Sequence, residues 1–275
     1  MSDPVLLIEN HLSITQFGLH VLTPSEEATG TEAYRVADGR RSPLDRWTGV
    51  TLNVEYSLKW AMDRPRAADV IWCDRGYVCP RLILEYSDDN FATPAQAVFD
   101  ITLPTASMPG SIDSAFGVRT EEGCWIKRFP VRTASYGRIR IPAMGAGLKP
   151  SIVGLMVGLS WTPGPLRRPF GPDRNALVVN ETPTDSGWLG RGRAVKRREG
   201  SLGFMTTSEC DYALGRYHID HFDRGRPMVI VPNDEQAERS FVAVRQPPVH
   251  GLSREPSYYY EQGELPYVEW EPRRR

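Results

Sequence analysis

Short apolar runs alternate with polar residues along most of the chain. This two-residue period is typical of β-strands that bury one face. The clearest case is Thr51–Met62, where Leu52, Val54, Tyr56 and Leu58 oppose polar neighbours. Further strands are predicted at 97–103, 124–131, 137–141, 152–161, 176–180, 228–231, 241–244 and 267–270. The pattern predicts a mainly β fold.

The stretch from Ala68 to Phe91 contains two apolar segments on either side of a turn. Val70–Cys73 and Arg81–Tyr86 predict two strands, and Asp74-Arg75-Gly76 supplies turn residues between them. A hairpin this apolar is not stable alone in water. We therefore expect it to lie inside a larger sheet, with Trp72 and Cys73 packed in a sandwich core.

Four prolines between Thr162 and Pro172 exclude a helix or a central strand there. This segment predicts two domains, a β-sandwich at residues 1–163 and a smaller β-rich (α+β) domain at 164–275. The second domain contains the one predicted helix, because Thr206-Thr207-Ser208-Glu209 matches a capping box. The helix is short, and its apolar positions are Cys210, Ala213, Leu214 and Tyr217.

Composition narrows the classes of protein that fit. The 275 residues carry a net charge of −1, which argues against a surface built for nucleic acid. No apolar run is long enough to insert into a membrane, and the N-terminus has no secretion-signal pattern. Four cysteines are too few for a disulfide framework, so we expect buried thiols and assembly in a reducing cytoplasm.

Motifs for chemistry are weak. Cys73 and Cys79 lack two further ligands for a metal, and His218 and His221 form an isolated pair. No GxSxG nucleophile motif or glycine-rich phosphate loop occurs, and paired carboxylates lie in predicted turns. The sequence therefore predicts a protein that is not an enzyme and has no cofactor and no metal.

Two local concentrations of residues are candidates for contacts with other molecules. A basic run suits a solvated strand-turn edge or an acidic protein neighbour better than a phosphate, because no aromatic side chains accompany it for base stacking. A tyrosine cluster near the C-terminus suits either packing on its own domain or a protein–protein contact. The residues concerned are Arg191, Arg193, Lys196, Arg197 and Arg198, and Tyr258, Tyr259 and Tyr260.

Five segments of the first ~160 residues form a recognisable set: Ala37-Asp38-Gly39 before Trp47, 69–76, 82–89, Tyr136–Ile141 and 152–158. In these segments the chain resembles a discoidin (galactose-binding-like) jelly roll. The resemblance implies a jelly-roll β-sandwich that presents ligands at its loop tips. Tyr34, Arg46 and Trp47 are then candidate glycan contacts, while core packing is the competing interpretation of Trp47.

The second half of the chain has three further segments of note: Leu202-Gly203-Phe204 before the predicted helix, Arg226–Pro232, and the strand ending at Glu269-Trp270. With these segments the whole chain also resembles structural proteins of tailed-bacteriophage tails and baseplates. The resemblance implies a non-enzymatic virion structural protein of a tail tip or baseplate, of the distal-tail or tail-ring type. Such a protein assembles in multiple copies, and its partners are other tail proteins and copies of itself. Its loops and C-terminal arm make these contacts.

The resemblance to tail proteins also implies a location in the virion tail, assembled in the host bacterial cytoplasm. The alternative is a carbohydrate-binding module used for attachment to a host-surface glycan. A hydrolase of cell walls finds little support in the sequence, because no catalytic set of residues is present.

Overall fold

The structure is a computed structural model, which describes residues 5–7, 9–12, 22–37, 46–74, 79, 81–95, 97–102, 118–119, 124–144 and 149–162 of the N-terminal part. Beyond these it describes residues 173–178, 181–183, 189–191, 195–206, 227–232, 237, 239–245, 253–254 and 260–269. The side chains of residues 102, 118–119, 173–206, 227, 244–245, 253–254 and 260–269 are outside that description.

The described chain contains nineteen strands and a 3-10 helix at Ala33–Val36. The prediction of a mainly β fold is confirmed, whereas the predicted helix after Thr206 lies outside the described residues. The strands are β1 (Val5–Leu7), β2 (Leu22–Pro24), β3 (Trp47–Thr48), β4 (Tyr56–Cys73), β5 (Arg81–Ser87), β6 (Ala97–Thr102), β7 (Val118–Arg119), β8 (Trp125–Ile141), β9 (Ser151–Ile152), β10 (Leu155–Gly158), β11 (Ser160–Trp161), β12 (Asp173–Val178), β13 (Glu181–Pro183), β14 (Leu189–Arg191), β15 (Val195–Thr206), β16 (Pro227–Val231), β17 (Phe241–Arg245), β18 (Ser253–Arg254) and β19 (Tyr260–Glu269).

Two large sheets organise these strands. A seven-stranded sheet has the order β10-β4-β8-β5-β6, with β2 beside β4 and β7 beside β8. An eight-stranded sheet has the order β11-β1-β16-β17-β19-β15-β12, with β18 beside β19. Two small pairs, β3 with β9 and β13 with β14, complete the described sheets.

Strands from both sides of the predicted boundary at residue 163 pair within the eight-stranded sheet. Val5 pairs with Val231 and Leu6 with Trp161, so β1 and β11 belong to the sheet of the C-terminal half. The physical reason is the run Val5–Leu7, which is buried and apolar and therefore needs a partner on both edges. The division into two independently folding units stays a prediction.

The long antiparallel pair of β4 and β8 forms a ribbon that runs through the seven-stranded sheet. It pairs Tyr56 with Ile141 at one end and Cys73 with Trp125 at the other. Phe99 of β6 lies beside the first end, because its strand joins the ribbon through β5. In a flat sheet Trp125 would be about 46 Å from Ile139, at about 3.3 Å for each of 14 residues.

The ring of Phe99 nevertheless lies 6.3 Å from the ring of Trp125, in an edge-to-face arrangement. The ribbon therefore bends and brings its two ends face to face. The bend encloses one buried apolar cluster that contains residues from both ends, among them Leu58, Trp60, Ile71 and Cys73. A β-sandwich results, as the sequence predicts.

An irregularity in the ribbon reverses which residues of β4 face the core. The register shifts between Ala68 and Val70, as expected for a β-bulge. Before the shift the even-numbered Leu58 and Trp60 face the main core, and after it the odd-numbered Ile71 and Cys73 do. Between Ala68 and Val70 strand β4 advances by two residues while β8 advances by four, so the extra residues of the bulge lie on β8. Beyond the bulge, the end of β4 is buried on both faces.

This second face packs against the eight-stranded sheet. Val70 and Trp72 share an apolar cluster with Val5, Val229 and Val242. Trp72 was expected to pack inside the sandwich with Cys73, and that expectation is wrong for Trp72, because the shift in register turns its indole to the other face. The cluster joins the jelly roll to the C-terminal sheet.

The predicted hairpin between 70–73 and 81–86 is also wrong. Both strands are present, but β4 and β5 do not pair with each other. Each pairs with β8, which lies between them. The local pattern located the strands correctly, whereas their partner comes from about 50 residues further along the chain.

Strand β8 confirms the predicted alternation at 137–141. Ile139 and Ile141 are buried in the main core. On the other face Arg138 and Arg140 lie 2.5 Å and 2.9 Å from the carboxylate of the buried Glu85. Two cations offset the cost of burying this carboxylate, which would be high for an unpaired charge.

The predicted strand 152–161 divides into β9, β10 and β11. Glycine weakens a strand unless a second backbone packs closely against it. Such a backbone is present at Gly158, where an added Cβ would overlap the carbonyl oxygen of Glu9. A side chain at this position would force the two segments apart.

We expect Asp69→Ala to destabilise the protein by about 2 kcal/mol. The Asp69 carboxylate lies at the bulge and accepts hydrogen bonds of 2.6 Å from the backbone N–H and the hydroxyl of Ser160. Truncation leaves the buried donors without this acceptor. The measurement is urea unfolding followed by tryptophan fluorescence.

The matched control is Asp63→Ala on the same strand, which removes an exposed ion pair with Arg66. Its expected cost stays below about 1 kcal/mol. Equal losses in the two variants would contradict the role given to the bulge.

Candidate binding site on the loop face

Three loop segments lie together beside the main core and form what we call the loop face. Backbone hydrogen bonds connect them: the N–H of Ala28 donates to the carbonyl of Thr48 at 3.0 Å, and that of Gly49 to Pro150 at 3.1 Å. The pairing of β3 with β9 adds a short two-stranded connection. The loop face is defined by residues 25–37, 46–53 and 149–152.

Exposed apolar side chains concentrate on this face. Tyr34 is 50% exposed, Val50 46% and Leu52 45%. Among the described residues only one other large hydrophobic side chain, Val131, is comparably exposed. A single exposed hydrophobic residue is ordinary, whereas a group of them on adjoining loops indicates a contact surface.

Glu26 fixes the loops that carry these side chains. Its carboxylate accepts hydrogen bonds from the backbone N–H of Thr51 at 3.1 Å and from the Thr51 hydroxyl at 3.2 Å. Its backbone carbonyl accepts one from the indole N–H of Trp47 at 2.9 Å. One residue therefore ties the segment 25–37 to the segment that carries Val50 and Leu52.

Trp47 lies in the core and not on the binding surface. Its side chain is 0% exposed, and its ring lies 6.1 Å from that of Tyr56 in an edge-to-face arrangement. A buried ring cannot stack on a sugar, so Trp47 is removed from the candidate glycan contacts. The competing interpretation, core packing, is confirmed. Tyr34 and Arg46 remain exposed.

The residues 51–53 precede β4, although the alternation predicted a strand over Thr51–Met62. The strand begins only at Tyr56, and Asn53 has a φ of 58°. Asn is one of the few residues that adopt this left-handed conformation readily. The early turn leaves Leu52 exposed, and sequence reasoning missed it because its apolar side chain fits the strand pattern.

The acidic side chains of the loop face are used internally. Glu27 accepts a hydrogen bond of 2.9 Å from the backbone N–H of Ala33, and Glu32 lies 2.7 Å from the guanidinium of Arg35. Hydrogen bonds from Thr51 hold the pKa of the Glu26 carboxyl below its ordinary value of 4.5. The carboxylates of the loop face therefore contribute to the structure of the loops.

Arg46 differs from these groups. It is exposed, and it forms no ion pair with any residue whose side chain the structure describes. Arg35, in contrast, lies beside Glu32 and its guanidinium is 5.9 Å from the ring centre of Tyr34. The positive charge that this face presents to solvent therefore belongs to Arg46 and to the exposed Lys149.

The described cysteines are buried, as the sequence predicts. Burial raises the pKa of Cys73 above its ordinary value and that of Cys79 to about 12, so both stay protonated thiols at neutral pH. The Cys124 thiol donates to a carboxylate oxygen of Asp74 at 3.3 Å. Protonated buried thiols are poor nucleophiles and poor metal ligands.

Within the described part of the chain no group of three His, Cys, Asp or Glu side chains is arranged to hold a metal ion. Nor does any described helix have the length and apolarity needed to cross a membrane. The candidate histidine pair, His218 and His221, and Cys210 lie outside the described residues.

The predicted assembly residues fall where only the backbone, or nothing, is described. Arg191 ends β14, and Lys196, Arg197 and Arg198 lie within β15, which pairs with both β12 and β19. Tyr260 begins β19. Arg193, Tyr258 and Tyr259 lie outside the described residues. The contacts predicted for these side chains stay predictions.

No protein-family model matches the chain, and no curated protein is significantly similar to it. Solved structures with a similar fold include chitosan-binding module 1 of a chitosanase/glucanase from Paenibacillus sp. IK-5, with 18% identity, a TM-score of 0.40 and coverage of 54% of this chain and 98% of the module. A CBM32 module of a family 31 glycoside hydrolase from Clostridium perfringens has 16% identity, a TM-score of 0.38 and coverage of 52% and 96%.

A GH29 fucosidase from Ruminococcus gnavus is similar over 56% of this chain and 27% of its own, with 14% identity and a TM-score of 0.42. Two of these three structures are binding modules of carbohydrate-active enzymes. At these identities and TM-scores, the similarity carries no argument about what this chain binds.

We expect Glu26→Gln to loosen the loop face. The amide cannot supply the same charged acceptor to both donors of Thr51, so the backbone N–H of Thr51 should exchange with solvent several-fold faster. The measurement is hydrogen exchange by NMR. Amides of the ribbon, such as that of Ile139, provide the internal control.

The hydrogen bonds from Thr51 to the Glu26 carboxylate also predict that the stability of the loop face depends on pH. The pKa of Glu26 is lower in the folded protein, so its contribution to stability is present above about pH 4.5 and is lost as pH falls through the folded-state value. Protection of the Thr51 amide should decrease over this range in the wild type and not in Glu26→Gln. If the Thr51 amide exchanged at the same rate in Glu26→Gln as in the wild type at neutral pH, the role given to Glu26 would be contradicted.

Proposed function

We propose that the chain is a non-enzymatic carbohydrate-binding protein that uses the loop face to attach to a glycan on a host surface. The observation that carries this proposal is the exposure of Tyr34, Val50 and Leu52 on connected loops, which Glu26 holds together. It is the alternative of the sequence analysis, with Trp47 removed from its contacts.

The chemistry of this surface suits a sugar. A sugar ring presents an apolar face of C–H groups and a polar rim of hydroxyls. An exposed tyrosine offers a flat apolar ring with a polar tip, and a nearby arginine offers several hydrogen-bond donors. Tyr34 and Arg46 supply these two elements, and the internal hydrogen bonds of the loops reduce the entropy lost on binding.

The rigidity of the loops distinguishes this surface from ordinary exposed side chains. Gly49 lies directly against the ring of Tyr56, where an added Cβ would overlap that ring. Together with the Glu26 contacts, this close approach fixes the turn that presents Val50. Binding sites placed on fixed elements are more precise than sites on mobile loops.

We expect Tyr34→Ala to lower the affinity for a bound glycan about tenfold, which corresponds to the loss of one aromatic stacking contact. A glycan array identifies the ligand, and isothermal titration calorimetry measures the affinity. The matched control is Val131→Ala, which truncates a side chain that is 59% exposed on the ribbon.

Binding in the control should equal that of the wild type. A wild-type protein that retains no glycan on the array would end the proposal. Equal affinities in Tyr34→Ala and wild type would show that the loop face is not the site.

A second candidate function is that of a virion structural protein of a phage tail tip or baseplate, of the distal-tail or tail-ring type. The observation that favours it is the apolar cluster between the two large sheets, where Val70 and Trp72 meet Val229 and Val242. A subunit that repeats around an axis needs its parts in a fixed orientation for the ring to close. Glycan binding at a tail tip is compatible with this role.

We expect a tail-ring subunit to form one closed oligomer whose mass is a whole multiple of 30.9 kDa. Sedimentation velocity over a range of concentrations measures this, and co-purification with other tail proteins provides the second test. A monomer at every concentration that binds no tail protein would contradict the assembly role and leave glycan binding unaffected.

A further inference from the structure

The outer side of the β3–β9 pair contains a polar group that the fold does not use. Trp47 pairs with Ile152, and both side chains are buried in the main core. Thr48 pairs with Ser151, and alternation turns these two side chains to the opposite side. Arg46 lies directly before β3, two residues from Thr48, and its side chain is exposed.

The hydroxyls of Thr48 and Ser151 are buried and have no hydrogen-bond partner among the described residues. Ser151 is only 6% exposed. Side chains directly opposite on antiparallel strands have Cβ atoms about 4.5–5.5 Å apart, so the two hydroxyls are close enough to contact one group together. A buried hydroxyl without a partner is rare, because the fold loses its hydrogen bond to water.

The charge beside these hydroxyls is positive. The carboxylates of Glu26, Glu27 and Glu32 have internal partners, as described above. Arg46 has no ion pair within the described part of the chain. A guanidinium beside two hydroxyl donors is a set that matches a carboxylate, with charge-assisted hydrogen bonds from arginine.

We propose that Arg46, Thr48 and Ser151 form a subsite for the carboxylate of an acidic sugar. The inference rests on the proposed function and deepens it, because it assigns the ligand to the uronic- or sialic-acid class of glycans. Tyr34 then contacts the apolar face of the sugar chain, and the subsite distinguishes acidic sugars from neutral ones.

The experiment uses the full chain and an array on which each acidic glycan is printed beside its carboxyl-reduced counterpart. Reduction replaces the carboxylate by a primary alcohol and leaves the rest of the glycan unchanged. Sulfated glycans form a third arm. We expect retention on acidic members, loss of at least tenfold on their reduced counterparts, and weaker binding at high salt.

Variants test the three residues separately. Arg46→Gln should weaken binding of the acidic glycan about tenfold, the loss of a charge-assisted contact. The control Arg64→Gln removes an equal charge from an exposed position of the ribbon and should bind as the wild type does. Ser151→Ala should also weaken binding while leaving the melting temperature of the ligand-free protein unchanged or higher, because no hydrogen bond is lost.

The remaining outcomes decide between the two proposals. Equal retention of acidic and reduced glycans, sensitive to Tyr34→Ala and not to Arg46→Gln, would overturn the carboxylate subsite and leave the proposed function standing. A preference for sulfated glycans would overturn the assignment to carboxylate. Failure to retain any glycan would overturn both proposals. A lower melting temperature in ligand-free Ser151→Ala would show that its hydroxyl is used by the fold.

Discussion

The fold depends on the bend of the ribbon formed by β4 and β8, which brings the rings of Phe99 and Trp125 into contact. Two strands of 18 and 17 residues are too long for one flat sheet over a compact core. They bend together and bring both ends onto the same apolar cluster. Four other strands, β2, β5, β7 and β10, pair directly with this ribbon, so the bend determines where their loops emerge.

The bulge beside Asp69 gives the ribbon its second function in the fold. Beyond the bulge, β4 is apolar on both sides near Trp72. The main core takes one side and the eight-stranded sheet the other. The apolar surface of the ribbon is thereby used for internal packing, and the exposed apolar residues of the described chain lie mostly on the loop face. Because the exposed apolar side chains lie mostly on the loops, we place the binding function there.

The alternation of apolar and polar residues predicted where the strands lie, but it did not predict which strands pair with each other. Alternation at 137–141 correctly separated buried Ile139 from the arginines that hold Glu85, and core packing was correctly weighed for Trp47. The pairing of β4 and β5 with β8, and of β1 with β16, depends on residues far apart in sequence, which a local pattern cannot specify. The exposure of Leu52 depends on the turn at Asn53, which interrupts an otherwise regular alternation.

The central claim is that the loop face is the surface that binds carbohydrate. The most direct measurement is an NMR titration of the isotope-labelled protein with the glycan that it retains on an array. The account predicts that amide signals of residues 33–36 and 46–52 shift progressively and saturably, while those of the ribbon core stay in place. Shifts confined to β15 and β19, or no shifts at all, would contradict it.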